Sequence, residues 1–367
     1  MVIGLWSSIA FMIKNFPNFP KNLMVGPGPH LTDKNDIPKI MWSVVIALMP
    51  ALMAAWANFG WYAILITGLA VATAILTEAI IQKFRGLEIT IYDGSAVVTG
   101  LLLAFILPPN VPFYIPIVGS AFAIGIVKHA FGGLGMNIWN PALAARAFLL
   151  AAYSSLIVMP QWPILKKIFV GNINSSIDAI TQATPCAVLQ NSPLTIFNHY
   201  NLWDLLTGRI PGSIGETSAL ALIAGGVYLI IKRIINWRLP LSYVLTVMIM
   251  VVLLPFHDQF GNLLGFWQPG FWAEPSLVLE RSLAHAFSGG LIIGAFFMAT
   301  DMVTSPLTSK GQVIFGIGCG LLVAVIRLYG GYPEGVCYSI LIMNTFVWLI
   351  DRLCQPKFFG ETHAKLA

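Results

Sequence analysis

Charge is scarce in this chain of 367 residues: 10% is Asp, Glu, Lys or Arg, against 57% hydrophobic. A soluble domain carries about 25% charged residues, and this chain cannot wrap a core in a polar surface with so few. Soluble folds are thereby excluded, and the mean hydropathy of +0.80 agrees. Cysteine is scarce too. Cys186, Cys319, Cys337 and Cys354 form no C-x-x-C pair, so no local set of four thiolates exists for an iron–sulfur cluster. Three of them sit in or beside apolar runs and are expected to be buried structural thiols. No Walker loop, zincin helix or nucleophile elbow is present. His129 and His285 lack a second His at ligand spacing, so a structural role is expected for each and no metal site. A cleavable signal pattern is absent as well. The opening "MVIGLWSSIAFMI" is too short to span a bilayer, and reads as an interfacial anchor ahead of an irregular, Pro- and Gly-bearing tail.

What is there is a series of apolar runs. Ten spans are predicted, at 39–57, 61–82, 95–107, 111–127, 140–158, 216–231, 240–256, 282–300, 311–326 and 334–351. Several are short for a bilayer that needs about 20 residues. The run 95–107 ends in "LPPNVP", where proline removes a donor and clashes with the preceding turn. It is expected to be a half or broken helix, tolerated at membrane depth only where protein covers it. The net charge of +5 comes from cations flanking these runs, so membrane orientation explains them and no nucleic-acid partner is expected. With the N-terminus inside, 14 of the 20 Lys and Arg fall on the inner side, five on the outer side, and Arg146 within a span. The positive-inside rule then puts both termini in the cytoplasm and the loop 159–215 outside.

The two halves resemble each other. Pro108 and Pro306 are 198 residues apart, as are Gly132-Gly133 and Gly330-Gly331. Each half has a short apolar run, a proline break, a Gly-rich span, a Gly-Gly pair and a span with a polar Asn. Five spans per repeat place the second upside down. The expected fold is an all-α polytopic membrane protein, with about ten transmembrane helices in two inverted five-helix repeats containing broken or half helices. Its segments are a tail at 1–38, repeats at 39–158 and 216–352, the loop at 159–215, and a second tail at 353–367.

Several polar residues need explaining. Asn137 and Asn140 in "GGLGMNIWNP" offer amides that both donate and accept; Asn140 also suits an N-cap, with Pro141 at the first helical position. "FMATDMVTSP" puts Asp301 and Thr304 at the end of an apolar run, either at a functional site within the membrane or as an interfacial cap. Asp93 and Ser95 read as helix caps, and Glu78 lies near a span end. Arg146 suits a phosphate or carboxylate, or else a buried ion pair.

Taken together, "DGSAVVTGLLLAFILPP", "GGLGMNIWNPA", "FMATDMVTSP" and "GGYPEGV" resemble one family. It holds the D subunit of the Rnf electron-transport complex and its paralogue, the B subunit of the sodium-pumping NADH:quinone oxidoreductase. The likeness spans roughly 30–360, and length and the "YPEGV" context favour the Rnf side. The resemblance implies FMN joined through its phosphate to a threonine in an outer loop, within Asp-x-x-Ser/Thr-Gly-Ala-Thr. Asp178, Thr181, Ala183 and Thr184 match, while Gln182 stands where the family has glycine. Thr184 is the implied attachment residue and Thr181 the second choice. Also implied is a noncovalent second flavin, riboflavin in the paralogue, with Asn137 and Asn140 at its site and Asp301 and Thr304 nearby. The implied partners are the other Rnf subunits, including a second covalent-FMN subunit and membrane iron–sulfur subunits, together with a flavin transferase and membrane lipid. The implied location is a bacterial or archaeal cell membrane, and the implied activity ferredoxin:NAD oxidoreduction coupled to Na⁺ or H⁺ movement. Other chains would carry the NAD and ferredoxin sites. A quinone-reducing B-type subunit, or a solute channel or transporter with inverted repeats, are the alternatives.

Overall fold

Helix α1 (Ile37–Phe59) and helix α2 (Trp61–Phe84) each bury a run of alanines, with a few large residues such as Leu48 and Ile66, and expose many of their large apolar side chains. On α1, Ala47, Ala51 and Ala55 recur at i, i+4 and are buried, while Met49, Met53 and Trp56 are exposed. On α2, Ala63, Ala70 and Ala74 are buried, while Leu65, Leu76 and Ile80 are exposed. This is the packing of helices in lipid, where the solvent is as apolar as the core and close backbone approach drives association.

The computed structural model describes residues 36–157, 184–191, 201–216, 218–257, 263–264, 275–331 and 334–355. Ile37 onward forms one unit. The tail 1–35 and most of the expected outer loop, with Asp178, Thr181, Gln182 and Ala183, lie outside the described residues. After α2 come α3 (Ser95–Phe105), α4 (Tyr114–Phe122, running on as a π-helix to His129) and α5 (Pro141–Ala152). Short helices α6 (Pro185–Asn191) and α7 (Leu202–Thr207) follow, then α8 (Ala219–Ile231) and α9 (Arg238–Leu253). The last are α10 (Pro275–Phe287), α11 (Leu291–Ile293, running on as a π-helix to Met298), α12 (Ser309–Tyr329) and α13 (Val336–Leu353). Two strands of two residues each, β1 (Phe256–His257) and β2 (Leu263–Leu264), pair antiparallel.

Every predicted span overlaps helical structure. The helices divide by length. Four of the described helices, α1, α2, α12 and α13, are long and apolar enough to cross a membrane. Helices α10 and α11 form a fifth only as a pair bent by 62°, and α3, α4, α5, α8 and α9 are shorter apolar helices. The chain is thus an all-α polytopic membrane protein. Within the expected span 140–158, α5 ends at Ala152 and a single helical turn, Ser154–Ile157, follows after Tyr153.

Packing follows the two halves. Helix α2 packs on α3 and α4, and α9 packs on α10 and α12; between the halves, α1 packs on α8 and α5 on α13. The half-helices α3 and α11 each begin at a left-handed glycine: Gly94 has φ 79° and Gly290 φ 69°. Each turns the chain sharply into a half-helix, in a conformation that costs an L side chain roughly 1–2 kcal/mol. Their far ends are capped differently. For α3, the N–H groups of Gly215 and Ile214 donate to the carbonyls of Phe105 (2.8 Å) and Leu107 (2.9 Å). For α11, the Asn140 amide donates to the carbonyl of Met298 at 3.3 Å.

The positive-inside count treats Lys128, Arg281 and Arg327 as flanking charges, yet all three are buried. Chain order shows that a cation is near a span end; only packing shows that it turns inward.

A Cβ at Gly290 would stand 2.5 Å from Glu216 Oε1, while one at Gly94 would meet Trp42 at 3.3 Å. Gly290→Ala therefore carries both backbone strain and overlap. It is expected to lower the thermal unfolding midpoint in detergent more than Gly94→Ala, which adds to the strain only a tight contact with Trp42.

Candidate functional site

A concave site lies between the halves. It is a cleft with about 790 Å³ of empty space counted to its open mouth. Its apolar wall includes Leu102, Phe296 and Phe297, and its polar wall brings together Asn137, Asn140, Asp301, Lys128, Ser95 and Thr300. Sequence reasoning names Asn137, Asn140 and Asp301, and the fold does place them on one cleft. Thr304 does not line it, but reaches it through Asp301, whose Oδ2 accepts from the Thr304 hydroxyl at 3.3 Å.

Each residue is positioned by local structure. Asn140 is the N-cap of α5, its side-chain oxygen accepting from the N–H groups of Ala142 (3.1 Å) and Leu143 (3.4 Å), with Pro141 in the first turn. The capping reading of Asn140 is therefore correct, and it coexists with cleft lining because the amide nitrogen still faces Met298. Asn137 donates to the carbonyl of Trp139 at 3.1 Å. Asp301 accepts from the Val303 N–H and the Thr304 hydroxyl, which is a local turn; helix α12 is capped instead by Thr308. In the sequence Asn344 is only a mark of the repeat. Its buried amide, oriented to satisfy both of its ends, donates to the carbonyls of Ile340 and Thr304 and accepts from the Asn140 N–H at 3.2 Å. It ties two of the named residues across the halves. Lys128 escapes sequence reasoning because chain order makes it a flanking charge.

Thr184 sits elsewhere. Half-buried, it heads α6, where its hydroxyl accepts from the Ala187 N–H at 3.3 Å. With Cys186, Pro211, Gly289, Glu216 and Glu334 it lines a small cavity of about 270 Å³ counted to its mouth. Arg146 stands behind this cavity. Buried on α5, it donates to Glu216 Oε1 at 2.9 Å and to Glu334, so one guanidinium joins helix α5 to the loops before α8 and before α13. The ion-pair reading of Arg146 holds. Arg327 braces the bend between α10 and α11 in a similar way. It donates to the carbonyls of Ser288 (2.8 Å), Gly289 (3.1 Å) and His285, which that bend leaves without helical partners. The Cys186 thiol lies 3.5 Å from the Ser288 hydroxyl. Burial pushes this thiol up from its ordinary value, and Arg327 and Ser288 offset that only in part.

Cys186, Cys319 and Cys337 are buried and free. Among the described residues no group of His, Cys, Asp and Glu has the makings of a metal site. His129 and His285 are buried, but among the described residues their ring nitrogens have no hydrogen-bond partner, unlike the satisfied structural histidines expected.

Fold and site together define a multi-pass membrane protein with a polar cleft between broken-helix halves. The chain belongs to the NQR2, RnfD, RnfE family, whose sequence pattern matches residues 24–360. It is 45% identical to the D subunit of the Na(+)-translocating ferredoxin:NAD(+) oxidoreductase complex of Acetobacterium woodii, covering 94% of this chain and 97% of that one. It is 44% identical to the D subunit of the proton-translocating ferredoxin:NAD(+) oxidoreductase complex of Clostridium ljungdahlii, covering 93% and 97%. The D subunit of the ion-translocating oxidoreductase complex of Stutzerimonas stutzeri is 37% identical over 89% of this chain and 93% of its own length.

Removing one partner of a buried ion pair costs about 3–5 kcal/mol, because the remaining charge stays buried. Arg146→Met is expected to lose stability of that order in thermal unfolding, and adding Glu216→Gln to recover part of it. In the intact chain, maleimide at pH 8 is expected to label the half-buried Cys354 well before Cys186.

Proposed function

We propose that this chain is the membrane flavoprotein subunit of an ion-translocating ferredoxin:NAD⁺ oxidoreductase complex of the Rnf type. In this reading Thr184 carries FMN through a phosphodiester, and the asparagine-lined cleft holds a second, noncovalent flavin, riboflavin or a close analogue. The observation that supports the reading is the setting of Thr184: a half-buried residue, at the attachment position the resemblance implies, lining its own cavity. A threonine Oγ esterified there remains able to accept from the Ala187 N–H, so attachment leaves α6 capped. The described residues fit the point of attachment.

Flavin supplies the one- and two-electron chemistry that no side chain of this chain supplies. The protein's part is to hold and space the two sites. Arg146 fixes the two loops that form the wall beside Thr184, and Arg327 stabilises the bend against which Cys186 packs. Asn140 and Asn344 lock the cleft to the ends of both halves. Helix α5 links the sites, with Asn140 at its head and Arg146 six residues on, a rise of about 9 Å at 1.5 Å per residue. Ferredoxin, NAD⁺ and iron–sulfur sites belong to the partner subunits, among them a second covalent-FMN subunit. The coupled ion is Na⁺ or H⁺. The reading places the chain in a bacterial or archaeal cell membrane, with both termini in the cytoplasm and Thr184 outside, within reach of a flavin transferase.

The test is the mass of the chain matured in cells that possess the transferase. It is expected to exceed the sequence mass by FMN less one water, and the band to fluoresce under ultraviolet light on a denaturing gel. Thr184→Ala should abolish both signals, while Thr181→Ala should leave them. An unmodified mass and a dark band would favour the solute-transporter reading. Ferredoxin-driven NAD⁺ reduction by the membranes, against quinone-dependent NADH oxidation, separates the Rnf reading from the quinone-reducing paralogue.

A further inference from the structure

Lys128 is the cation on the wall of the cleft, and it is 2% exposed. Its ammonium donates to Glu78 Oε1 and to the Ser95 hydroxyl, both at 2.7 Å. An ammonium has three donors, so one N–H is left without a protein partner among the described residues. Ser95 lines the same cleft, and its hydroxyl is fixed in turn by donating to Asp93 Oδ1 at 2.8 Å. Glu78 is 1% exposed, and two further groups contact its Oε1: the Gln82 amide at 3.4 Å and His129 Nε2 at 3.6 Å. This is a costly arrangement for fold stability alone, since a buried pair often does no better than apolar residues of the same volume. Asp301, the other charged group on the wall, is already engaged by Val303 and Thr304.

We propose that Lys128 is a cofactor-contacting residue of the cleft, whose spare N–H meets the C2 carbonyl edge of a planar flavin ring and favours the ring's reduced anion. The assignment rests on the cleft holding the noncovalent flavin of the proposed function. A neutral oxidised ring that takes two electrons from a neighbouring redox centre of the complex, and one proton from water, gains one negative charge, shared between N1 and the C2 oxygen. A fixed cation at that edge binds the reduced form more tightly than the oxidised form and so raises the midpoint potential. Glu78 and Ser95 hold the ammonium in place, and the apolar wall of Leu102, Phe296 and Phe297 keeps water from screening it.

The experiment uses the full chain purified in detergent in a Thr184→Val background, so that any flavin present is noncovalent. Flavin released by acid is counted per chain, and the midpoint potential is read from the absorption spectrum. Lys128→Met is expected to shift the potential negative by at least the equivalent of a tenfold loss of preference for the reduced form, about 30 mV for a two-electron couple. Lys128→Arg, which keeps the charge, should retain most of the wild-type value. If Lys128→Met fails to assemble, Glu78→Gln/Lys128→Met strands no carboxylate and carries the same expectation. A parent chain that releases no flavin would refute the flavin reading of the cleft. A parent that releases flavin, with the neutral variants matching it in potential, would overturn the role of Lys128 and leave the cleft assignment standing.

Discussion

A helix broken at membrane depth exposes backbone carbonyls and N–H groups where no water can meet them, and the protein must supply their partners. Most of the buried polar chemistry follows from that constraint. At the bend between α10 and α11, Arg327 supplies donors to three carbonyls. At the end of α11 the donor is the Asn140 amide, and at the end of α3 it is the backbone of Gly215 and Ile214. At the head of α3, Asp93 accepts from the Ser95 N–H at 2.9 Å. Once these groups are drawn inward, further charges accompany them: Glu78 with Lys128 beside α3, and Glu216 and Glu334 with Arg146 beside α11.

The same constraint makes the two cavities. A half-helix stops short of the bilayer width, and the space it leaves is lined by whatever caps it. The cleft is bounded by the residues that begin α3 and those that follow α11. The Thr184 cavity is bounded by the bend, the loop before α8 and the segment before α13. Helix α5 runs from one to the other with its cap in the first and its guanidinium behind the second. In a site built this way the walls are also the groups that satisfy the backbone.

Much of the fold is legible in the sequence. Apolar runs, proline breaks and Gly-Gly pairs locate every long helix, because in lipid a long apolar run is itself the mark of a span. The break after α3 is visible in Pro108 and Pro109. The bend before α11 is not, because Gly289 and Gly290 occur in a run whose composition does not distinguish a bend from a continuous helix. Asn137, Asn140 and Asp301 are visible as polar residues out of place in apolar surroundings. Lys128 is not, because four positions before a Gly-Gly pair it has the signature of a flanking charge.

Composition and the apolar runs by themselves determined that this chain lives in a membrane and where its helices lie along the chain. Those properties are local: each depends on transfer from water to lipid over a window of residues. Which cation turns inward, and which of several polar residues share a wall, was decided only in three dimensions. The partners come from the other half of the chain: Arg146 meets Glu216 and Glu334, and Asn140 meets Met298 and Asn344. Pairs separated by scores of residues leave no periodic trace, and in a medium without water it is they that fix where a charge can stand.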